Sequence, residues 1–195
     1  MTVISGPSGV GKSTITDRVL ESFDDMKRSV SYTTREPRKG EREGENYFFV
    51  DREEFDRLIR EDRLIEWARV YGNLYGTGME FVSGKLKEGW NLLLEIDVAG
   101  GESVKRKLPD STLIMVVPPS LEALEERLRG RRTEEEDVIR RRLDNALDEL
   151  RHWKNYDYAV VNDELERAVE RVRAIISAER MRRGRIKMIK VIDKK

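Results

Sequence analysis

An octapeptide near the start of the chain most constrains its fold. It reads Gly6-Pro7-Ser8-Gly9-Val10-Gly11-Lys12-Ser13 and fits the pattern G-x-x-x-x-G-K-[ST]. Its glycines permit backbone conformations that side chains forbid, so backbone N–H groups can converge on phosphate oxygens. Lys12 is expected to reach the β- and γ-phosphates, and the Ser13 hydroxyl to ligate Mg²⁺. An apolar strand pattern precedes the loop and a helical pattern follows it, which predicts a nucleoside triphosphate site at a helix N-terminus.

Composition narrows the class of protein. The chain has 195 residues, 38 basic and 38 acidic, and a formal net charge of zero, so no general attraction to nucleic acid or membranes is expected. It has no cysteine and one histidine, which excludes disulfides and Cys-based zinc sites and disfavours a Ser-His-Asp triad. No apolar run approaches the length of a membrane span and no signal peptide is visible, so the cytoplasm is the expected location.

Strand and helix patterns alternate along the chain. Leu92-Leu93-Leu94 and residues 113–117 and 158–161 are nearly uniformly apolar, as in parallel strands covered on both faces. The pattern predicts an α/β parallel sheet with helices on both faces. Residues 33–77 are more polar and rich in strand patterns, which indicates a lobe inserted into the sheet domain.

Capping patterns predict where several helices begin. Asp51 with Glu54 and Thr133 with Glu136 each form a capping box, and Ser120 precedes an apolar helical run.

Asp97 comes directly after the apolar strand around Leu92-Leu93-Leu94. In open α/β sheets, ligands lie beyond the carboxyl ends of the strands, where an acid can hold Mg²⁺ or a substrate. A simple turn at the strand end is the alternative.

A second set of candidates lies in the predicted lobe. Arg35 and Arg38 flank Pro37, and two guanidinium groups suit a phosphate. A solvated basic loop would have the same composition. The full set is Ser31, Arg35, Arg38, Tyr47, Glu66 and Tyr75.

Arginines cluster around Gly130, between two predicted helices. A segment of this kind can close over a triphosphate and neutralise its charge during transfer, although the same arginines can instead pair with glutamates along helix faces. The set is Arg127, Arg129, Arg131, Arg132 and Arg142.

Residues 180–195 form a basic tail with some strand-like alternation. A solvated terminus is expected, with nucleic-acid binding as the alternative. His152, beside Trp153 in an amphipathic helix, is expected to be structural.

Taken together, these segments resemble the guanylate kinase family, in the family's order over residues 1 to about 180. The joined segment Ser31-Tyr32-Thr33-Thr34-Arg35-Glu36-Pro37-Arg38 is the most specific match. The other matches are Gly6 to Thr14, Gly44 to Phe49, Ile65 to Ala68, Gly72 to Thr77, Leu94 to Asp97, Pro118 to Ser120 and Val161 to Asp163.

The resemblance implies a single P-loop NTPase fold with three parts: a core (1–32, 78–121 and 151–195), a mixed-β nucleoside-monophosphate lobe (33–77) and a helical lid (122–150). It also implies Mg²⁺-dependent transfer of the γ-phosphoryl group of ATP to GMP, giving ADP and GDP, and the same transfer to dGMP, giving dGDP.

The resemblance also assigns residues by position. ATP would be held by Gly6, Pro7, Ser8, Gly9, Val10, Gly11, Lys12, Ser13, Thr14 and Asn162. The GMP phosphate would be held by Arg35, Arg38, Tyr47 and Tyr75, and guanine would be surrounded by Ser31, Glu66, Thr77 and Asp97. Lys12, Arg131 and Arg142 would be catalytic, and Ser13 and Asp97 would hold the metal.

Two positions depart from the family pattern. Arg132 stands where glycine is common, which affects which lid arginine reaches the phosphates, and Ala99-Gly100 stands where Gln-Gly is usual. Two other functions remain open at this point. A related kinase would act on another phosphorylated substrate such as a ribose phosphate, and a scaffold module of the same type would bind phosphopeptides, although such modules typically lack the lysine and arginines present here.

Overall fold

The computed structural model describes residues 1–70, 72–130 and 136–182. In chain order its elements are β1 (Thr2–Ser5), α1 (Lys12–Leu20), β2 (Met26–Arg28), β3 (Ser31–Thr33), β4 (Tyr47–Phe49), α2 (Arg52–Arg60), β5 (Leu64–Val70), β6 (Asn73–Gly78), α3 (Met79–Lys87), β7 (Asn91–Glu95), α4 (Val98–Lys107), β8 (Thr112–Val117), α5 (Leu121–Arg129), α6 (Glu136–Arg151), a short 3₁₀ helix (His152–Asn155), β9 (Tyr158–Val161) and α7 (Leu165–Arg180).

The larger sheet is parallel, with the strand order β2-β7-β1-β8-β9. Strand β1 is central, and its Val3 pairs with Leu94 on one side and Leu113 on the other. Successive side chains point to opposite faces, so Val3 and Ile4 belong to different apolar clusters. Helices α1 and α7 contribute to the cluster on one face, and α3 and α4 to the cluster on the other. The predicted parallel sheet with helices on both faces is confirmed.

A smaller mixed sheet has the order β4-β3-β6-β5 and spans residues 31 to 78, close to the predicted lobe. Strands β3 and β4 are parallel, whereas β6 is antiparallel to β3 and β5. This sheet has an apolar cluster of its own, built from Phe55, Leu58, Leu64 and Leu74. Asp51 caps α2 as predicted, because its Oδ1 accepts the Glu54 N–H at 2.8 Å.

Among the strands and α-helices of the described residues, three were not predicted as such: β2, β6 and α4. Glycines conceal two of them, because β6 carries Gly76 and Gly78, and the first turn of α4 carries Gly100 and Gly101. Gly76 lies so close to β5 that a Cβ there would come within 3.0 Å of the Glu66 carbonyl oxygen. Glycine at position 76 is therefore required by close packing of the two strands, and it does not mark a turn.

Helices α5 and α6 pack on each other through Leu124, Leu128, Ile139 and Ala146. The Ser120 cap is confirmed, since its Oγ accepts the Ala123 N–H at 3.2 Å. Thr133 and the tail 183–195 lie outside the described residues. No helix in the described part of the chain is both long and apolar enough to cross a membrane.

The separate core of the smaller sheet leads to a stability prediction. Phe55→Ala should destabilise the lobe by about 3–5 kcal/mol, because it removes a fully buried aromatic ring. Hydrogen exchange should then accelerate mainly in β3 to β6, while β1, β7 and β8 keep their protection. The exposed Trp67→Ala provides the control. Equal acceleration in both sheets would show that the two cores unfold as one.

Candidate active site

The loop between β1 and α1 has the conformation its glycines predict. Gly6, Gly9 and Gly11 have φ of 144°, 86° and 95°, in the region that disfavours side chains. A Cβ at Gly6 would also lie 2.2 Å from the Val116 carbonyl oxygen of β8. The loop is therefore held against the carboxyl end of the sheet, with the N-terminus of α1 behind it.

Lys12 is the first residue of α1, and its ammonium folds back over the loop. Nζ donates to the Gly6 carbonyl at 2.6 Å and to the Pro7 carbonyl at 3.0 Å. This places its positive charge at the mouth of the loop. Thr14 follows on the exposed surface of the same helix.

Ser13 contacts an acid that the sequence analysis did not single out. Its Oγ donates to Oε1 of Glu95, the last residue of β7. Arg28 holds the other oxygen of Glu95 at 2.7 Å and also pairs with Asp17 at 2.5 Å. The strand-end position of Glu95, two residues before Asp97, was the available signal, but only Asp97 ends the apolar run visibly.

Glu66 is the most buried acid of the site, with 7% of its surface exposed. Thr77 Oγ1 donates to its Oε1 at 2.5 Å. Burial raises the pKa of Glu66 to about 7, against the lowering effect of the Thr77 hydrogen bond and with a further increase from the charge of Asp97. Thr77 faces Ser31 across the β3–β6 pair. Three of the residues assigned to guanine therefore lie together.

Asp97 caps α4, and its Oδ1 accepts the Gly100 N–H at 2.7 Å. A Cβ at Gly100 would lie 3.1 Å from Asp97 Oδ1 and 3.2 Å from Glu66 Oε2. Gly100 thus lets both carboxylates approach the start of α4. Ala99, which stands where the family usually has Gln, is exposed, and it is the following Gly100 that lies against the two carboxylates.

The phosphate-binding candidates of the lobe are only partly assembled. The Arg35 guanidinium is bound by Glu41 at 2.7 Å and 2.9 Å and lies over the Tyr47 ring at 5.4 Å from its centroid. The rings of Tyr47 and Tyr75 pack edge to face at 5.8 Å. Arg38 is exposed, and its backbone N–H donates to Glu41 at 2.7 Å. Glu41, a second acid that sequence reasoning missed as a functional residue, occupies the position between the two arginines.

A cavity of about 450 Å³ joins the phosphate loop to the lobe. Its volume is in the range of small-molecule sites. A neighbouring cavity of about 360 Å³ is lined by Ser13, Ser31, Tyr47, Thr77 and Glu95 among others. The larger cavity is lined by Gly6, Ser8, Lys12, Ser31, Tyr47, Glu66, Tyr75, Glu95, Asp97 and Glu149, together with Ala68, Val70, Gly76 and Ile96.

The far side of the loop contacts the segment after β9 and helix α6. Asn162 Nδ2 donates to the Val10 carbonyl at 2.8 Å, and Arg127 of α5 donates to the Asn162 carbonyl, also at 2.8 Å. Arg142 of α6 donates to Ser8 Oγ at 2.8 Å, so α6 contacts the loop directly. Arg131 and Arg132 lie outside the described residues.

Comparisons with known proteins agree with this geometry. A family model described as guanylate kinase matches residues 1–179. The chain belongs to the guanylate kinase family. The guanylate kinase of Caldanaerobacter subterraneus subsp. tengcongensis is 50% identical over 185 residues, covering 95% of this chain and 90% of the relative. That of Syntrophotalea carbinolica is 48% identical and covers 95% and 88%.

A solved structure supports the same conclusion. The crystal structure of guanylate kinase from Anaplasma phagocytophilum is 36% identical, has a TM-score of 0.74, and covers 95% of this chain and 88% of that one. Guanylate kinases are nucleoside monophosphate kinases that use ATP, so the phosphate loop, the lobe and the cavity between them belong to a phosphotransferase. The resemblance read from the sequence is confirmed at the level of family, fold and enzyme class.

The raised pKa of Glu66 predicts a pH-dependent stability in the nucleotide-free protein. Between about pH 4.5 and pH 7, folded Glu66 keeps a proton that the unfolded chain has released, so the free energy of unfolding falls as the pH rises through that window. Glu66→Gln abolishes this titration. The variant should therefore gain stability relative to the wild type between about pH 4.5 and pH 7. Urea unfolding of both proteins at several pH values measures their free energies of unfolding. A difference between the two free energies that does not change with pH would contradict the raised pKa.

Proposed function

We propose that this chain catalyses Mg²⁺-dependent transfer of the γ-phosphoryl group of ATP to GMP, and also to dGMP, giving ADP and GDP or dGDP. The observation that carries the proposal is the buried carboxylate of Glu66 in a cavity that opens onto the phosphate loop. The family membership supports the reaction, and the residue roles below are our inferences.

The chemistry of Glu66 suits guanine. Guanine presents its N1–H and N2–H₂ donors side by side, and one carboxylate accepts both. Adenine has no such pair, so its binding would leave a buried acceptor unpaired, and sites of this kind discriminate strongly. Thr77, Ser31 and Asp97 complete the proposed base site. Binding guanine supplies donors to the ionised form, so it should lower the pKa of Glu66.

The rest of the reaction needs positioning and charge neutralisation more than acid–base groups. We assign the triphosphate to the loop 6–13 with Lys12, and the GMP phosphate to Arg35, Arg38, Tyr47 and Tyr75. Arg142 is suited to the transferred group, because it already reaches the loop at Ser8. Arg131 remains a prediction from the resemblance.

Oxygen ligands for Mg²⁺ are present beside the loop. Mg²⁺ prefers a few protein oxygens together with phosphate oxygens and water, and Ser13 with the nearby Glu95 fits this requirement. Because the Ser13 hydroxyl donates its proton to Glu95, its lone pairs remain available to a cation. Asp97 was predicted as a ligand from the resemblance and would act from the same edge of the sheet. Ser13 and Glu95 would hold the ion, which would supply charge neutralisation to the triphosphate.

We further propose the three-part division into core, lobe and lid. It assigns the two substrates to different parts, so binding both would draw the parts together and exclude water, which competes as phosphoryl acceptor.

A coupled assay for ADP release tests the function. The enzyme is given ATP, Mg²⁺ and, in turn, GMP, dGMP, AMP, CMP, UMP and ribose phosphates. We expect turnover with GMP and dGMP only. Turnover confined to a sugar phosphate would refute the assignment of a guanine site. Nucleotide binding without any turnover would indicate a scaffold module instead of an enzyme.

Glu66→Gln separates the base site from the phosphate site. The amide keeps the shape of the side chain but replaces one acceptor with a donor, so kcat/KM for GMP should fall by on the order of 100-fold or more. ATP binding, measured by calorimetry without GMP, should change little. Glu53→Gln, on the exposed surface of α2 in the same lobe, is the control. Unchanged GMP use by the Glu66 variant would refute the guanine assignment.

A further inference from the structure

Glu149 brings a carboxylate from the lid helix α6 into the substrate cavity. Its Oε2 is buried and has no hydrogen-bond partner among the described residues. A buried polar atom of this kind costs free energy unless a ligand or water satisfies it. Position 149 lies two helical turns after Arg142, so both residues face the phosphate loop from the same side of α6.

The other acids of the cavity already have partners. Glu66 accepts from Thr77, Glu95 accepts from Ser13 and Arg28, and Asp97 accepts from Gly100. Of the four carboxylates that line the cavity, only Glu149 has a buried oxygen that no described residue fills.

The donors that a substrate brings to this cavity are few. Under the proposed function, the N–H groups of guanine belong to Glu66, and an ionised phosphate offers acceptors only. The remaining donors of the acceptor nucleotide are the hydroxyls of its ribose, which lies between base and phosphate. Lys12 also lines the cavity, and its charge lowers the pKa of Glu149 while burial, the larger effect, raises it. Its ammonium, however, donates to the loop carbonyls.

We propose that Glu149 accepts a hydrogen bond from a ribose hydroxyl of the acceptor nucleotide. This inference rests on the proposed function and adds a specificity-determining residue to it. Hydrogen bonds to an ionised group are stronger than neutral ones. The contact would favour a ribonucleotide over its deoxy analogue and would come from the lid, not from the lobe that holds the base.

The test compares three acceptors, GMP, 2′-deoxy-GMP and 3′-deoxy-GMP, at saturating ATP and Mg²⁺. For the wild type, we expect kcat/KM to be about tenfold lower with one of the two deoxy analogues. In Glu149→Ala, kcat/KM for GMP should fall, while kcat/KM for the same deoxy analogue should be unchanged. The ratio of the two values should therefore approach one. Asp148→Ala is the matched control, since Asp148 is the exposed neighbour of Glu149 and pairs with Arg151 at 2.7 Å. It should keep the wild-type ratio.

Binding measurements separate this role from a structural one. Calorimetry of GMP and of the deoxy analogue without ATP should show the same loss of discrimination in Glu149→Ala. Should that variant not fold, Glu149→Gln keeps the shape and should retain only part of the wild-type ratio. The proposal would be overturned if Glu149→Ala kept the wild-type ratio of kcat/KM between GMP and the deoxy analogue. It would also be overturned if the variant lost kcat/KM equally for all three nucleotides and had a raised KM for ATP, or if the wild type used all three nucleotides equally. Absence of turnover with all three by the wild type would overturn the proposed function itself, and this inference with it.

Discussion

The packing of Gly6 against β8 is the constraint on which the rest of the site depends. A Cβ at Gly6 would lie 2.2 Å from the Val116 carbonyl oxygen, so only glycine allows the loop to approach the sheet this closely. The loop in turn determines where α1 begins and where Lys12 and Ser13 project. At the same edge of the sheet, the end of β7 brings Glu95 to Ser13, and Leu124 and Leu128 of α5 lie close to Gly9 of the loop. The observed position of the loop therefore requires glycine at position 6.

The proposed base site contains an unfavourable interaction that a ligand with matching donors would relieve. Glu66 is buried and lies beside Asp97, and both effects raise its pKa. A Cβ at Gly100 would lie 3.2 Å from Glu66 Oε2, so the start of α4 packs closely against this carboxylate. Under the proposed function, selectivity would follow from this buried acceptor, because a base without matching donors would leave its desolvation cost in place.

The sequence predicted the elements whose residue pattern matches their environment. Leu92-Leu93-Leu94 is covered on both faces and was recognised as a parallel strand, and Asp51 caps α2 as its spacing indicates. Strand β6 and helix α4 were missed, because their glycines are required by close packing, whereas in a sequence alone glycine favours a turn. Glu66, Thr77 and Ser31 could be named from the family resemblance, since their motifs are contiguous. Glu41 and Glu149 were not singled out, because an isolated glutamate in so charged a chain carries no local signal. Glu95 had a signal in its position at the end of β7, but its contact with Ser13 depends on a residue distant in sequence.

Several arginines around the site pair with acids of the same chain. Arg35 is held by Glu41, Arg28 by Glu95 and Asp17, and Arg129 of α5 by Glu125 and Glu136, which raise the pKa of Arg129. These pairs keep the arginines ordered, and under the proposed function the GMP phosphate would compete with Glu41 for Arg35. Exchange of one anion for another costs less than ordering a free side chain. A dianionic phosphate offers more acceptor oxygens than the single carboxylate it replaces. Under the proposed function, GMP binding would therefore weaken the Arg35–Glu41 pair, whereas the Arg38 side chain is already exposed and only its backbone N–H is bound by Glu41.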